Sequence, residues 1–326
     1  MDIRLREQAH LAARAWRHLT RQKAVVAIGA MLVGMLFFDT KFYTPYNLMD
    51  MLKSAAIVEI LAFGVTLPVL CGGCDFSIGG TMSLAGILTI LMMGALPMWA
   101  AIAAAVLAGA LIGFVNGFFV ARHRTEPFII TLGMGMLLKG IGQQLTDAHP
   151  ISAPNLAFMK LANGKLIGSV PNLVVIMALC FIAVHGLLRY TAFGRNCYAI
   201  GGDYAVAQNS GINAVRIKWI TYVLCGMIAA VGGVLLSSKL NTGSSLYGDA
   251  TALTVNCGCV VGGTSFAGGV GGVPQTFVGL LAIQLLENCM NMLGISAYVQ
   301  QVCKGAIIIA IIWSDCFGRK RKREAV

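Results

Sequence analysis

The chain has 326 residues, of which 57% are hydrophobic and 11% charged, with a mean hydropathy of +0.78 and a formal net charge of +11. A soluble domain carries about one-quarter charged residues, so this composition excludes a soluble enzyme or binding module. The positive balance invites a nucleic-acid reading, but the basic residues sit at the ends of apolar runs rather than on one domain. They are read as orientation signals in a membrane, with lipid and not nucleic acid as the partner.

In chain order, residues 1–23 (MDIRLREQAHLAARAWRHLTRQK) read as a basic, amphipathic cytoplasmic lead-in at the membrane surface, with no small-residue cleavage site after it. Ten apolar segments follow, at about 24–42, 54–72, 77–96, 98–121, 128–147, 171–188, 218–238, 252–272, 273–293 and 299–314. Each is near the ~20 residues that cross hydrocarbon. The eighth, VNCGCVVGGTSFAGGVGGV, is rich in glycine. A broken or re-entrant segment is expected there, packed in protein or lining a wet cavity. A basic tail, 315–326, follows the tenth.

With the N-terminus inside, the inner segments carry 17 Lys and Arg, including Arg122, Arg124, Arg189, Arg195, Arg216, Lys218 and the cluster 319–323. The outer segments carry 5, namely Lys41, Lys53, Lys160, Lys165 and Lys239. This asymmetry predicts about ten helices with both termini cytoplasmic. The fold class expected is an all-α integral membrane protein whose transmembrane domain spans 24–314. Ten spans divide into five plus five, and an odd half inverts the second copy. GGCDFSIGGTMSLAG in the third segment resembles GCVVGGTSFAGG in the eighth, at the same place in each half.

Ionisable groups inside spans are costly unless they pair or line a path. Glu59, Lys139, Glu287 and Lys304 fall in this class, and Asp75 sits between two runs. Gln284, Glu287, Asn288 and Asn291 make a polar stripe on the ninth segment by helical spacing. Two roles fit it: a surface lining a substrate path, or interhelical hydrogen bonds holding the bundle together. Asn116 on the fourth segment has the same two roles open, and Glu287 with Lys304 could form a structural ion pair. Asp75, flanked by glycines, reads first as a cap of the next helix and second as a ligand contact.

The inner segment 194–215 has a different logic. A short helix, Asp203 to Ser210, is expected there, bounded by Gly201, Gly202 and Gly211, with Asp203 as N-cap and Gly211 as C-cap. Definite ends suit a docking element on the inner face. No GxxxxGK[ST] phosphate loop, zinc-ligand cluster or nucleophile elbow is present in the sequence. The Cys71/Cys74 and Cys257/Cys259 pairs have no histidine nearby and read as small buried residues, so no metal site is expected.

Four blocks now carry a resemblance: Ile57 to Gly86, Pro127 to Gly140, Gly194 to Gly211 and Val260 to Gly294. Together they resemble, over roughly residues 45–314, the permease subunits of bacterial ABC importers for ribose, xylose, galactose or allose. The resemblance implies a multi-pass, non-catalytic subunit of the inner membrane that translocates a monosaccharide. It implies a dimer of permeases, separate ATPase subunits that bind ATP and magnesium, and a periplasmic sugar-binding protein; no cofactor belongs to this chain. It places the ATPase-coupling helix in Gly194 to Gly211, with Arg195, Gly201, Gly202, Asp203, Ala205, Ala207, Ser210 and Gly211 as coupling residues. Substrate-path candidates are Asp75, Asn116, Gln284, Glu287, Asn288, Asn291 and Lys304. The chain departs from the family's pattern at Cys74, usually aliphatic, and at Glu287, usually Asn or Gly. The competing readings are a permease for a furanosyl signal molecule or nucleoside, and a cation-coupled carrier using Glu59, Asp75 or Glu287.

Overall fold

The computed structural model describes residues 23–307 and 309, apart from 39, 154, 168 and 169. The lead-in 1–22 and the tail 315–326 lie outside the described residues. Every apolar segment expected from the sequence contains a helix. These are α1 (Lys23–Phe38), α2 (Pro45–Leu70), α3 (Ile78–Met92), α4 (Met98–Gly117), α5 (Pro127–Thr146), α7 (Asn172–Tyr190), α10 (Ala214–Leu240), α11 (Thr251–Val261), α12 (Val273–Met292) and α13 (297–307). Between them lie α6 (Leu156–Asn163), α8 (Ala192–Gly202) and α9 (Tyr204–Asn209). Among the described residues, four short strands also occur: β1 (Ile151–Ser152), β2 (Lys165–Ile167), β3 (Val170–Pro171) and β4 (Thr242–Gly243).

Among the described residues, five helices are long and apolar enough to cross a membrane: α2, α4 with the π-helical turn Phe118–Arg122 that extends it, α5, α7 and α10. The helix α12 has 20 residues, but Gln284, Glu287, Asn288 and Asn291 lower its hydropathy. Local chemistry sets the boundaries. Pro45 and Pro127 stand in the first turns of α2 and α5, where a missing N–H costs nothing. Asp147 and Asn241 end α5 and α10 in left-handed conformation, at φ 49° and 55°.

The two longest helices, α2 and α10, form the centre. Their apolar stretches are 78% and 61% buried, against 17% for α5 and for α7. Small residues let the backbones approach. A Cβ on Gly109 of α4 would run into the Gly226 carbonyl of α10, and one on Gly113 into the Tyr222 carbonyl. Gly233 of α10 meets the Met82 carbonyl of α3 in the same way.

The order of elements around α2 recurs around α10. Each long helix is followed by a non-helical return, 71–77 or 241–250, and then by a short helix, α3 or α11. The second return meets the start of α3, where Gly248 and Gly79 pack backbone on backbone. This is the arrangement expected of an internal repeat, but the two sequence motifs that suggest it are not equivalent. Gly79 and Gly80 lie in the first turn of α3, whereas Gly262 caps the end of α11 and Gly263 has φ 101°. The eighth segment is broken as expected: its helix stops at Val261, and glycines at 263, 268, 269 and 271 turn the chain with positive φ.

The loops between helices fall into two groups at opposite ends of α2, whose 26 residues extend about 39 Å. At one end β1 pairs with β4, Asn163 donates to the Lys239 carbonyl at 3.0 Å, and Lys239 Nζ reaches Ser54 Oγ at 3.2 Å. At the other, Gly269 N–H donates to the Leu70 carbonyl at 2.9 Å, and Arg124 lies 5.4 Å over the Tyr204 ring. Among the described residues, the loops 147–171 and 241–250 thus share one end, and 123–126, 191–213 and 262–272 the other.

Candidate functional site

Besides the polar stripe of α12, three places among the described residues carry polar chemistry, and the first is the buried junction of α3, α4, α10 and α11. Asp75 accepts from Ser77 N–H at 2.9 Å and from Ser77 Oγ at 2.6 Å, which braces the turn before α3; the N-cap is Ser77 itself and no side chain caps the first turn, so Asp75 is not the cap the sequence suggests. Ser77 Oγ in turn accepts from Asn116 Nδ2 at 2.8 Å. Asn256 Nδ2 donates to the Asp75 carbonyl at 2.8 Å, and Tyr222 Oη donates to the Cys74 carbonyl at 3.0 Å. Asp75, Asn116 and Asn256 are buried. The structure thus unites Asp75 with Asn116, two sequence candidates, and adds Asn256 and Tyr222. The only sequence signal for Asn256 is a lone amide inside the apolar eighth segment.

The second place is a groove beside that junction. Two adjoining cavities, each of about 430 Å³, share Phe76, Phe128 and Leu253 as a common wall. One extends to Glu126 and Cys257, the other to Lys139 and Asp249. Phe76 and Phe128 pack edge to face, with centroids 5.1 Å apart. Lys139 Nζ lies 2.7 Å from Asp249 Oδ2, and their side chains are 36% and 50% exposed. The sequence marks Lys139 as a charge inside a span but gives no sign of its partner, which lies in the return before α11.

The polar stripe on α12 is engaged elsewhere. Asn288 and Asn47 exchange two amide hydrogen bonds at 3.0 and 3.1 Å. Asn291 Oδ1 accepts from Gln300 Nε2 at 2.7 Å, and Glu287 pairs with Lys304 at 3.0 Å. Gln284 is nearly buried, and none of these residues lines either cavity of the groove. Glu59 is fully buried in α2, and neither carboxylate oxygen has a hydrogen-bond partner among the described residues.

The third place is the segment 191–213. Where the sequence predicts one short helix in a loop, the structure has two. Thr191 caps α8, its hydroxyl accepting from Gly194 N–H at 3.3 Å, and α8 carries Arg195, Gly201 and Gly202. Asp203 caps α9 by accepting from Val206 N–H at 3.0 Å, as expected. Ser210 Oγ donates to the Val206 carbonyl, and Gly211 follows with φ 83°. Gly201 packs against the Leu70 carbonyl and the Gly268–Gly269 backbone. Tyr198 Oη donates to the Gly271 carbonyl at 2.9 Å. Burial pushes the Tyr198 phenol above its ordinary value, which keeps it a donor. Ala205 and Val206 are exposed, whereas Ala207 is buried in this chain's own core and is not free to meet a partner.

Comparison with known proteins agrees with this architecture. The family described as "Branched-chain amino acid transport system / permease component" matches residues 47–312. The chain is 34% identical over 310 residues to the ribose import permease protein RbsC of Escherichia coli (strain K12), covering 93% of this chain and 95% of that one. It is 30% identical over 300 residues to the L-arabinose transport system permease protein AraH of the same strain, covering 92% and 91%. It is 28% identical over 364 residues to the xylose transport system permease protein XylH, also of that strain, covering 91% and 92%. No solved structure matches the chain significantly. The chain belongs to this permease family, and it is a multi-pass membrane protein.

Proposed function

We propose that the chain is the membrane permease of an ATP-driven importer for a neutral monosaccharide, working in the bacterial inner membrane. The observation that carries this reading is identity of 34% across nearly the whole chain with a ribose import permease, joined by arabinose and xylose permeases. The chain has no phosphate loop of its own, so ATP and magnesium belong to a separate ATPase. Its docking element is α8–α9, whose exposed Ala205 and Val206 face away from the core while Gly201 and Tyr198 tie the pair to the ends of α2 and α12. Closure of the ATPase would move this unit and, through it, α7 and α10.

The groove beside Asp75 is the translocation path in this reading. An exposed ion pair whose lysine sits within a span is expensive against lipid, so the groove must face water or protein. A second copy of the permease supplies the opposite wall, and a secreted binding protein delivers the sugar. The test is substrate competition. The complex with its ATPase and binding protein, in proteoliposomes, is given labelled D-ribose with unlabelled ribose, arabinose, xylose or L-leucine in excess. Competition by pentoses and not by leucine is expected; competition by leucine alone would overturn the sugar assignment.

A further inference from the structure

The groove has the composition of a binding site as well as of a passage. Its two cavities, about 430 Å³ each, fall within the roughly 300–1,000 Å³ typical of small-molecule sites. Its walls are mostly apolar, with a few polar groups at defined places, which is the usual pattern of such sites. Phe76 and Phe128, in edge-to-face contact at 5.1 Å, present an aromatic surface at the point where the two cavities join. Lys139 and Asp249, paired at 2.7 Å, stand at one end and remain half-exposed.

The donor inventory then selects a ligand. A lysine ammonium only donates and an ionised aspartate only accepts. Adjacent hydroxyls on a ring satisfy both, one accepting from Nζ and the other donating to the carboxylate, through charge-assisted bonds. The pair is neutral as a unit, so it gives no net attraction to an anion or a cation. The C–H face of a sugar ring is apolar and flat enough to lie on Phe76 or Phe128 while its hydroxyls reach the ion pair. The polar residues of the buried junction are linked through Ser77 and the backbone: Asp75 accepts from Ser77, Asn116 donates to Ser77 Oγ, and Asn256 donates to the Asp75 carbonyl, while Asn116 Oδ1 and Asn256 Oδ1 have no partner among the described residues. None of the three lines either cavity, so they stand behind the wall rather than among the contacts.

We propose that this groove holds a transient binding station for a neutral sugar ring, packed against the Phe76–Phe128 aromatic pair and hydrogen-bonded by Lys139 and Asp249. The proposal rests on the permease reading above and adds the residues that recognise the passenger. A station here would make the permease selective in its own right, independently of the binding protein.

The full chain in lipid nanodiscs, without partners, is titrated with D-ribose, D-xylose, L-arabinose and L-leucine by saturation-transfer NMR. The same variants are assayed for uptake in the assembled complex. Saturation is expected on the ring C–H protons of at least one pentose. Phe128→Leu should weaken that titration about fivefold through loss of the ring, while Phe128→Tyr, which keeps the ring, should retain it. Asp249→Asn should weaken it by a similar factor, about fivefold, through loss of charge assistance. Both conservative variants are checked for monodispersity, so a folding failure in Phe128→Leu does not decide the outcome. If the complex takes up a pentose but Asp249→Asn and Phe128→Leu leave titration and uptake unchanged, the station is refuted and the permease reading stands. If leucine alone titrates and no pentose is taken up, the sugar assignment fails and the station fails with it.

Discussion

Asn288 on α12 and Asn47 on α2 hold each other through two amide hydrogen bonds, 3.0 and 3.1 Å long, across 241 residues of sequence. A reciprocal amide pair of this kind fixes the register of two helices where lipid supplies no hydrophobic driving force between them. With Asn291–Gln300 and Glu287–Lys304 it ties α12 to both α2 and α13, so the polar face of α12 acts as an interhelical seam.

A double-mutant cycle on this pair should therefore show coupling. Asn47→Leu and Asn288→Leu should each destabilise the purified protein, with a coupling energy of about 0.6–1.7 kcal/mol. Thermal unfolding in detergent reads the effect. Additive single effects would mean that the pair does not hold the helices together, and that the stripe is free to serve a path.

The proposed docking role of α9 makes a second prediction, which separates two neighbouring alanines. Ala205→Arg places a long side chain on the exposed face of α9 and should abolish ATPase binding while membrane insertion and stability persist. Ala207→Arg should instead destabilise the permease itself, because Ala207 is 3% exposed and the cationic head would be driven into an apolar core. Co-purification with the ATPase and thermal stability are the two readouts. Normal ATPase binding by Ala205→Arg would shift the coupling role to the 122–127 segment.

Glu59 makes a third. Its carboxylate is buried without a partner among the described residues, and Gln preserves its shape while removing any role in carrying a proton or cation. ATP-driven uptake by Glu59→Gln should stay within about twofold of the parent, well under the ~1.4 kcal/mol that a tenfold change represents. Abolished uptake with normal folding would point to a carboxylate coupled to ion movement.

The division of the loops between two ends makes a fourth. A reporter fused after Val326 should be active only in the cytoplasm, and one inserted near Asn163, at the end shared with Lys239 and Ser54, only outside. The reverse pattern at either site would invert the orientation implied by the 17-to-5 distribution of Lys and Arg.

The legibility of each feature in the sequence follows from what its signal encodes. The lengths of apolar runs locate the spans, because a bilayer imposes one length on all of them. The break after Val261 is visible because the sequence there is rich in glycine, and five of those glycines, 263, 268, 269, 271 and 272, take positive φ. The helix α8 is hidden: its buried positions Gly194, Cys197 and Ile200 recur at helical spacing, but glycines at 194, 201 and 202 resemble a flexible loop. Helical spacing finds the α12 stripe, yet spacing says nothing about what a face meets, and one partner, Asn47, lies at the other end of the sequence. The groove is the least legible feature. Phe76, Phe128 and Asp249 come from three separate segments and carry no local motif, so only the fold assembles them around Lys139.

The source of energy is the most direct test. The permease is reconstituted with its ATPase and binding protein, and initial uptake of labelled pentose is measured with ATP inside and no ion gradient, then with a proton or sodium gradient and no ATP. Uptake is expected with ATP alone, should stop when the ATPase is inactivated, and should be absent with either gradient alone. Uptake driven by a gradient without ATP hydrolysis would contradict the assignment of this chain as the passive membrane half of an ATP-driven importer.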